Sequence, residues 1–319
     1  LADDGGDALV EVGDLSGDGS RDVVAVDQAG TATLYRTDGQ LGWLGSEPIA
    51  TGWENKTAVF SPGDFDSDGI PDIFTRDPDG TLWLHPGSPR GGLLAPRAVG
   101  SGWQSMTALV GMRDFNGDGR ADVIARDAAG LLWLYPGNGS GGWLTPRQIG
   151  WGWGSLNSLL TPGDFNGDGF DDVMARDAQG RLLLFAGNGS GGWLSSGPVG
   201  QGWSSISALT GPGLLPSGPR TSNPGLGDLS GDGFEDVLTW TQGGAATVYA
   251  GNGAGGWGAA SAVSVPWSLP VHLTGTVDFN GDGRRDVITV DEGGLLWMTP
   301  TTGPGSFGAP VQIGSGWTG

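Results

Sequence analysis

Residues 113–124 read RDFNGDGRADVI. Within them, Asp114, Asn116, Asp118 and Asp122 set oxygen-bearing side chains at positions 1, 3, 5 and 9 of a loop, with glycine at position 6. A hard cation needs this spacing. Alternate side chains converge on one point, glycine permits the sharp turn, and the carbonyl of Arg120 at position 7 adds an oxygen. Oxygen-only donors select calcium over zinc or copper. A helix–loop–helix site would carry its last acid at position 12, on a helix. Here it stands at position 9, directly before the β-rich run 123–125, so the loop is expected to lead into a strand.

The pattern D-x-[DNS]-x-D-G-x-x-D occurs six times, from Asp14, Asp64, Asp114, Asp164, Asp228 and Asp278, at intervals of 50, 50, 50, 64 and 50 residues. The expected side-chain ligands of the first three loops are Asp14, Ser16, Asp18 and Asp22, then Asp64, Asp66, Asp68 and Asp72, then the four above. The carbonyls of Ser20, Ile70 and Arg120 join them. The last three loops offer Asp164, Asn166, Asp168 and Asp172 with Phe170, Asp228, Ser230, Asp232 and Asp236 with Phe234, and Asp278, Asn280, Asp282 and Asp286 with Arg284. Up to six calcium ions are expected, held most weakly where Ser16 and Ser230 replace an acid or amide. Their role is expected to be bracing rather than catalysis.

Each period divides into short strands. In the third, 107–110 and 123–126 are apolar runs, Asp127-Ala-Ala-Gly130 is a hairpin turn, 131–135 is a third run, and 146–150 is a fourth leading to Trp153. No segment shows sustained helical periodicity. Four short strands per 50 residues is the plan of a propeller blade. Gly-Trp or Pro-Trp recurs at Trp53, Trp103, Trp153, Trp203, Trp267 and Trp317, and Trp317 fills the phase that Asp3 leaves empty at the N-terminus, as a closed ring would require. The expected fold is all-β: one six-bladed β-propeller domain over residues 1–319, with four-stranded blades, a calcium-binding loop in each, and an insertion at 211–225.

Composition narrows the function. The 319 residues carry 35 acidic and 15 basic side chains, a net charge of −20, which argues against nucleic acid or anionic lipid as partner. No apolar run is long enough to span a membrane. Cysteine is absent, which excludes thiol catalysis and cysteine-ligated metals, and two histidines make a multi-histidine site implausible. Leu1 in place of methionine points to a processed protein or excised domain.

Segments 63–74 (GDFDSDGIPDIF), 113–124, 163–174 (GDFNGDGFDDVM) and 277–288 (VDFNGDGRRDVI) resemble the FG-GAP/VCBS repeat family. That family includes integrin α-chain propellers, fungal lectins related to the Psathyrella velutina lectin, and modules of secreted actinobacterial hydrolases and toxins. The resemblance covers essentially the whole chain and implies calcium ligation by the loop residues named above. It also implies sugar pockets repeated between blades as one function. Integrins and the fungal lectins have seven blades, whereas this chain counts six, and 211–225 is too short to hide another.

Fifteen tryptophans fall mostly into three columns. One is the Gly-Trp column. The second lies on the third strand at Trp83, Trp133 and Trp297. The third follows the Gly-rich loop at Trp43, Trp143, Trp193 and Trp257. Such columns either fill gaps between blades or offer indole faces to sugar rings. The ligand candidates are Trp83, His85, Trp133, Tyr135, Asn138, Trp143, Trp151, Asn188, Trp193 and Trp297. His85 stands where other repeats carry Tyr35, Tyr135 and Tyr249, as a column variant rather than a base. The expectation is a secreted, lectin-like module binding cell-surface or cell-wall carbohydrate multivalently. The alternative is a protein-interaction scaffold of an extracellular enzyme or toxin assembly, docking through 211–225. A polysaccharide-active enzyme would need a unique acid–base pair, yet most carboxylates belong to the loops or to the turn column Asp27, Asp77, Asp127, Asp177 and Asp291. No enzyme is expected.

Overall fold

The computed structural model describes residues 8–315 apart from 21, 38–42, 202–205, 211–227, 231, 235, 242–245, 264–270, 278, 281, 283, 292 and 304–305. The insertion, Asp278, and the phase match between Asp3 and Trp317 lie outside the described residues.

Six four-stranded antiparallel sheets follow one another along the chain. Blade 1 is β1 (Ala8–Gly13), β2 (Asp22–Val26), β3 (Ala32–Thr37) and β4 (Trp43–Ala50). Blade 2 is β5 (Ala58–Gly63), β6 (Asp72–Arg76), β7 (Leu82–His85) and β8 (Arg97–Gly100). Blade 3 is β9 (Met106–Met112), β10 (Asp122–Asp127), β11 (Leu132–Pro136) and β12 (Arg147–Gly150). Blade 4 is β13 (Leu156–Gly163), β14 (Asp172–Asp177), β15 (Leu182–Gly187) and β16 (Trp193–Gly200). Blade 5 is β17 (Ile206–Thr210), β18 (Val237–Thr241), β19 (Ala246–Gly251) and β20 (Trp257–Val263). Blade 6 is β21 (Val271–Val277), β22 (Asp286–Asp291) and β23 (Leu295–Thr299), then a small hairpin, β24 (Thr301–Gly303) and β25 (Ser306–Phe307), and the outer strand β26 (Val311–Ser315). The hairpin pairs Thr301 with Phe307, as Gly137 pairs with Trp143 and Gly187 with Trp193 across the Gly-rich loops of blades 3 and 4.

The first strand of each blade touches the first strands of its two neighbours, and β21 touches β1, so the ring closes. Each four-stranded sheet takes all its strands from one stretch of chain, so among the described residues closure uses side-chain packing rather than an exchanged strand. Val23 and Ala25 of β2 pack against Ile288, Val290 and Met298 across that seam. The second strand of each blade lies between two strands and two blades. Val123, Ile124 and Ala125 are therefore all buried, which is why these segments read as unbroken apolar runs rather than alternating ones. The third strand alternates, as in β11.

The Gly-Trp column joins blades. Short 3-10 turns at Trp103–Ser105 and Trp153–Ser155 carry the chain across, and Trp53, Trp103 and Trp153 are buried at 4–5% exposure. The amide of Trp153 donates to the carbonyl of Gly130 at 2.9 Å. Gly130 has φ +76°, and a Cβ there would lie 2.6 Å from the Gly154 nitrogen, so only glycine fits. No described helix is long and apolar enough to cross a membrane.

Candidate functional site

The topology puts the acidic loops, between first and second strands, at one end of every blade together with the Gly-rich loops between third and fourth strands. The Asp-x-x-Gly turns and the blade links lie at the other end. The candidate residues therefore divide between two faces.

On the acidic-loop face, the third loop shows the local chemistry. Asp114 accepts the backbone N–H groups of Gly117 (2.6 Å), Asp118 (2.9 Å) and Gly119 (2.8 Å), which curls the loop around its first carboxylate. Asp118 accepts the N–H of Arg120 at 3.0 Å. Asp122 is fully buried at the start of β10 and accepts N–H bonds from Phe115 and Asn116, both 3.1 Å. It also accepts the N–H of Gly137 at 3.2 Å, tying the acidic loop to the exit of β11. Asp72, Asp172 and Asp286 repeat this three-way brace through Gly87, Gly187 and Thr301. Burial pushes the carboxyls of Asp22, Asp72, Asp122, Asp172 and Asp236 up to about 7, although the backbone donors pull the other way.

Two observations fit a cation in these loops. Oxygen atoms of Asp64, Asp66 and Asp72 lie within 4.8 Å of one another, as do those of Asp228, Asp232 and Asp236. Buried oxygens of Ser16 (Oγ), Asp22 (Oδ1) and Asp66 (Oδ1) lack a hydrogen-bond donor, the condition a bound cation would relieve. The fifth loop gathers its carboxylates despite Ser230.

The third tryptophan column is placed between blades. The indole of Trp143 donates to the carbonyl of Val99 on the preceding blade at 2.9 Å, that of Trp193 to Ile149 at 2.8 Å, and that of Trp257 to Val199 at 2.5 Å. Each packs on the phenylalanine at position 2 of the preceding acidic loop: Phe65 with Trp143 at 4.7 Å, Phe115 with Trp193 at 5.1 Å, and Phe165 with Trp257 at 4.8 Å. Tyr135 joins Trp103 in the same gap at 4.4 Å. Asn138 and Asn188 close their Gly-rich loops by accepting the N–H groups of Ser140 and Gly142, and of Ser190 and Gly192.

His85 occupies the corresponding gap one blade earlier, 4.7 Å from Trp53, with Nε2 2.9 Å from Thr75 Oγ1. It is 6% exposed, and burial lowers its pKa from 6.5 to about 4, with Lys56 pulling the same way. The folded ring thus resists a proton that the unfolded ring takes up below pH 6.5. Stability tied to His85 is full above that value and falls as pH drops towards 4, by about 3 kcal/mol in all. Urea titrations of the protein and of His85→Phe, which copies Phe185, are expected to show this difference growing between pH 7 and 4. Parallel pH profiles would refute it.

On the turn face, the second column is pinned by its ring nitrogens. Trp83 donates to Asp77 at 2.7 Å, Trp133 to Asp127 at 3.0 Å and Trp297 to Asp291 at 2.9 Å. Blade 4 has Leu183 in this column, and Arg181 takes over the contact with Asp177 at 2.6 Å. Trp151 is 81% exposed on this face. Because Leu132 pairs with Gly150 and Trp133 with Gln148, Trp151 emerges at the same end of blade 3 as Trp133. The structure places these two at the same end of the blade and leaves Tyr135, Asn138 and Trp143 deeper in the gap or at the opposite face.

Sequence reading missed the arginine before the turn aspartates Asp77, Asp127 and Asp177. Arg76 donates to the carbonyls of Trp103 (3.0 Å) and Met106 (2.7 Å), and Arg126 to those of Trp153 (3.1 Å) and Leu156, stapling each blade to the next. The recurring Arg-Asp dipeptide at 76–77, 126–127 and 176–177 was the available signal.

Ring and loops together define a six-bladed β-propeller with an acidic loop in each blade. The chain belongs to the FG-GAP-like repeat family, whose model matches residues 14–75, 64–125, 114–175 and 164–239. Across 99% of its length it is similar to an Agrocybe aegerita lectin, a structure describing specific recognition of non-reducing terminal N-acetylglucosamine. That match has a TM-score of 0.63 and 18% identity and covers 82% of the lectin chain. Over 97% of its length it is similar to the BP39L lectin from Burkholderia pseudomallei, with a TM-score of 0.61, 19% identity and 99% of that chain covered. At these identities the likeness shows a shared architecture. No curated protein sequence matches the chain.

Proposed function

We propose that the chain is a calcium-braced carbohydrate-binding module that works outside the cell and carries out no reaction. The observation that carries this reading is the 81%-exposed Trp151 at the same end of blade 3 as the pinned indole of Trp133, on a ring fold shared with two lectins. An indole whose N–H is fixed by a carboxylate presents a rigid face, and a sugar's C–H face stacks on it with little loss of side-chain freedom. Trp83 and Trp297 offer the same pinned indole in blades 2 and 6. The loops support calcium through their oxygen-only donors and uncompensated buried oxygens. Extracellular modules hold calcium in the range of about 10⁻⁴–10⁻³ M, which supports an extracellular location. A binding role rather than catalysis is supported by carboxylates that are repeated blade after blade and already engaged by backbone N–H groups.

A glycan array that includes structures ending in N-acetylglucosamine, run with and without calcium, tests the reading. Binding is expected in calcium. Trp133→Ala and Trp151→Ala should each weaken it by about five- to thirtyfold, the loss of one stacking contact worth roughly 1–2 kcal/mol. An array silent under all conditions would sink the carbohydrate reading.

A further inference from the structure

Each blade ends in an outer strand, and the unpaired N–H and C=O groups along such an edge are a template for another strand. Five of the six outer strands are guarded. β4 carries Glu47 and Pro48, and β16 carries Pro198. β8 and β12 are four residues long, begin with Arg97 and Arg147, and directly follow Pro96 and Pro146. β26 directly follows Pro310. Proline cannot donate to a strand ladder, and a charge on an edge resists burial.

β20 has neither device. It reads Trp257-Gly-Ala-Ala-Ser-Ala-Val263, seven residues without proline or charge. Its inner edge is taken by β19, with Thr247 opposite Ala262, Val248 opposite Ser261 and Tyr249 opposite Ala260. Gly258, Ala259, Ala260, Ser261 and Ala262 are all exposed. Successive residues of a strand face opposite sides, so five exposed in a row leave both sides of β20 uncovered.

The distribution of charge singles out the same rim independently. Asp, Glu, Lys and Arg are absent from the third and fourth strands of blades 4, 5 and 6, whereas those of blades 1 to 3 carry Arg36, Glu47, Arg97 and Arg147. β20 stands at the middle of this neutral half of the rim. Two copies of a chain with net charge −20 repel each other least where they meet along it.

We propose that β20 is a self-association edge, along which two copies of the chain pair antiparallel about a two-fold axis near Ala260 and join two four-stranded sheets into one of eight. Around that axis Gly258 faces Ala262 and Ala259 faces Ser261, so only small side chains meet. An edge of glycine, alanine and serine has no charge or bulky side chain with which to select a foreign peptide, whereas two-fold symmetry makes it complementary to itself. Antiparallel pairing reverses one ring relative to the other, so the two faces that carry Trp151 look in opposite directions. On the carbohydrate reading above, on which the pairing does not depend, such a dimer bridges two glycan surfaces.

Analytical ultracentrifugation of the full chain tests the pairing. A reversible dimer is expected, with Kd on the order of 10–100 μM because one strand pair is a small interface. Added salt should tighten it, since the copies carry like charge and the seam holds no ion pair. Ala260→Glu and Ala260→Lys should each weaken it by at least about tenfold, because like charges then meet across the axis, and an equimolar mixture of the two should dimerise again. Amide exchange of the unsubstituted chain gives a reading free of mutation: protection at residues 258–262 should rise with protein concentration. A monomer at every concentration up to about 1 mM, a dimer that salt loosens or that both substitutions leave intact, a mixture that fails to reassociate, or protection at 258–262 that does not change with concentration would each overturn the proposal.

Discussion

Removing divalent cations with EDTA is expected to lower the melting temperature by on the order of 10 °C, and millimolar calcium should restore it. A cation that binds only the folded loop stabilises the fold by about 1.4 kcal/mol per site when free calcium is roughly tenfold above Kd. Several such sites act on one ring. For a chain of this size about 1 kcal/mol moves the melting temperature by roughly 2 °C. The charge distribution points the same way: nineteen carboxylates stand at the expected ligand positions of the six loops in a chain with net charge −20, and six divalent ions would bring that charge to −8. Buried oxygens at Ser16, Asp22 and Asp66 that lack a hydrogen-bond partner are groups a bound cation would satisfy. Magnesium should substitute poorly, because it demands tighter octahedral geometry than an exposed loop of this length provides. Scanning fluorimetry in EDTA, calcium and magnesium checks the prediction, and an identical transition in all three would refute a bracing role.

Much of this architecture was legible because the repeat is chemical as well as periodic. The acid at position 9 standing directly before an apolar run announced a loop entering a strand, and β10 does begin at Asp122. Asp127 and Gly130 announced a tight turn, which the structure closes with the N–H of Gly130 on the carbonyl of Asp127 at 3.0 Å. The tryptophan columns were visible too, but their environments were not. Trp133 and Trp143 are ten residues apart in one repeat, yet one is held at the turn face and the other is wedged against Phe65 of the preceding blade. Period fixes which residues share a column. It does not say whether that column faces solvent or the neighbouring blade, because the answer depends on how sheets twist and pack against one another.

The same distinction between local pattern and three-dimensional role separates two aspartates that the loop pattern treats alike. Asp122→Ala is expected to destabilise the protein by at least about 3 kcal/mol, in EDTA as well as in calcium. Its carboxylate satisfies the N–H groups of Phe115, Asn116 and Gly137 in a fully buried position, and each donor left without a partner costs about 1–3 kcal/mol. Asp118 is exposed; it accepts the backbone N–H of Arg120 and makes a surface ion pair with the same residue's guanidinium at 3.7 Å, a contact worth little in water. Asp118→Ala should therefore cost under about 1 kcal/mol in EDTA and more only in calcium, where it removes a cation ligand. Urea denaturation of both variants, with and without calcium, separates the two roles. If Asp122→Ala were harmless in EDTA, the position-9 carboxylate would be a ligand and nothing else. If Asp118→Ala cost the same with and without calcium, the third loop would hold no ion. The expected pattern makes position 9 a structural brace first. That in turn explains how a ring can keep its acidic loops shaped for a cation before any cation arrives.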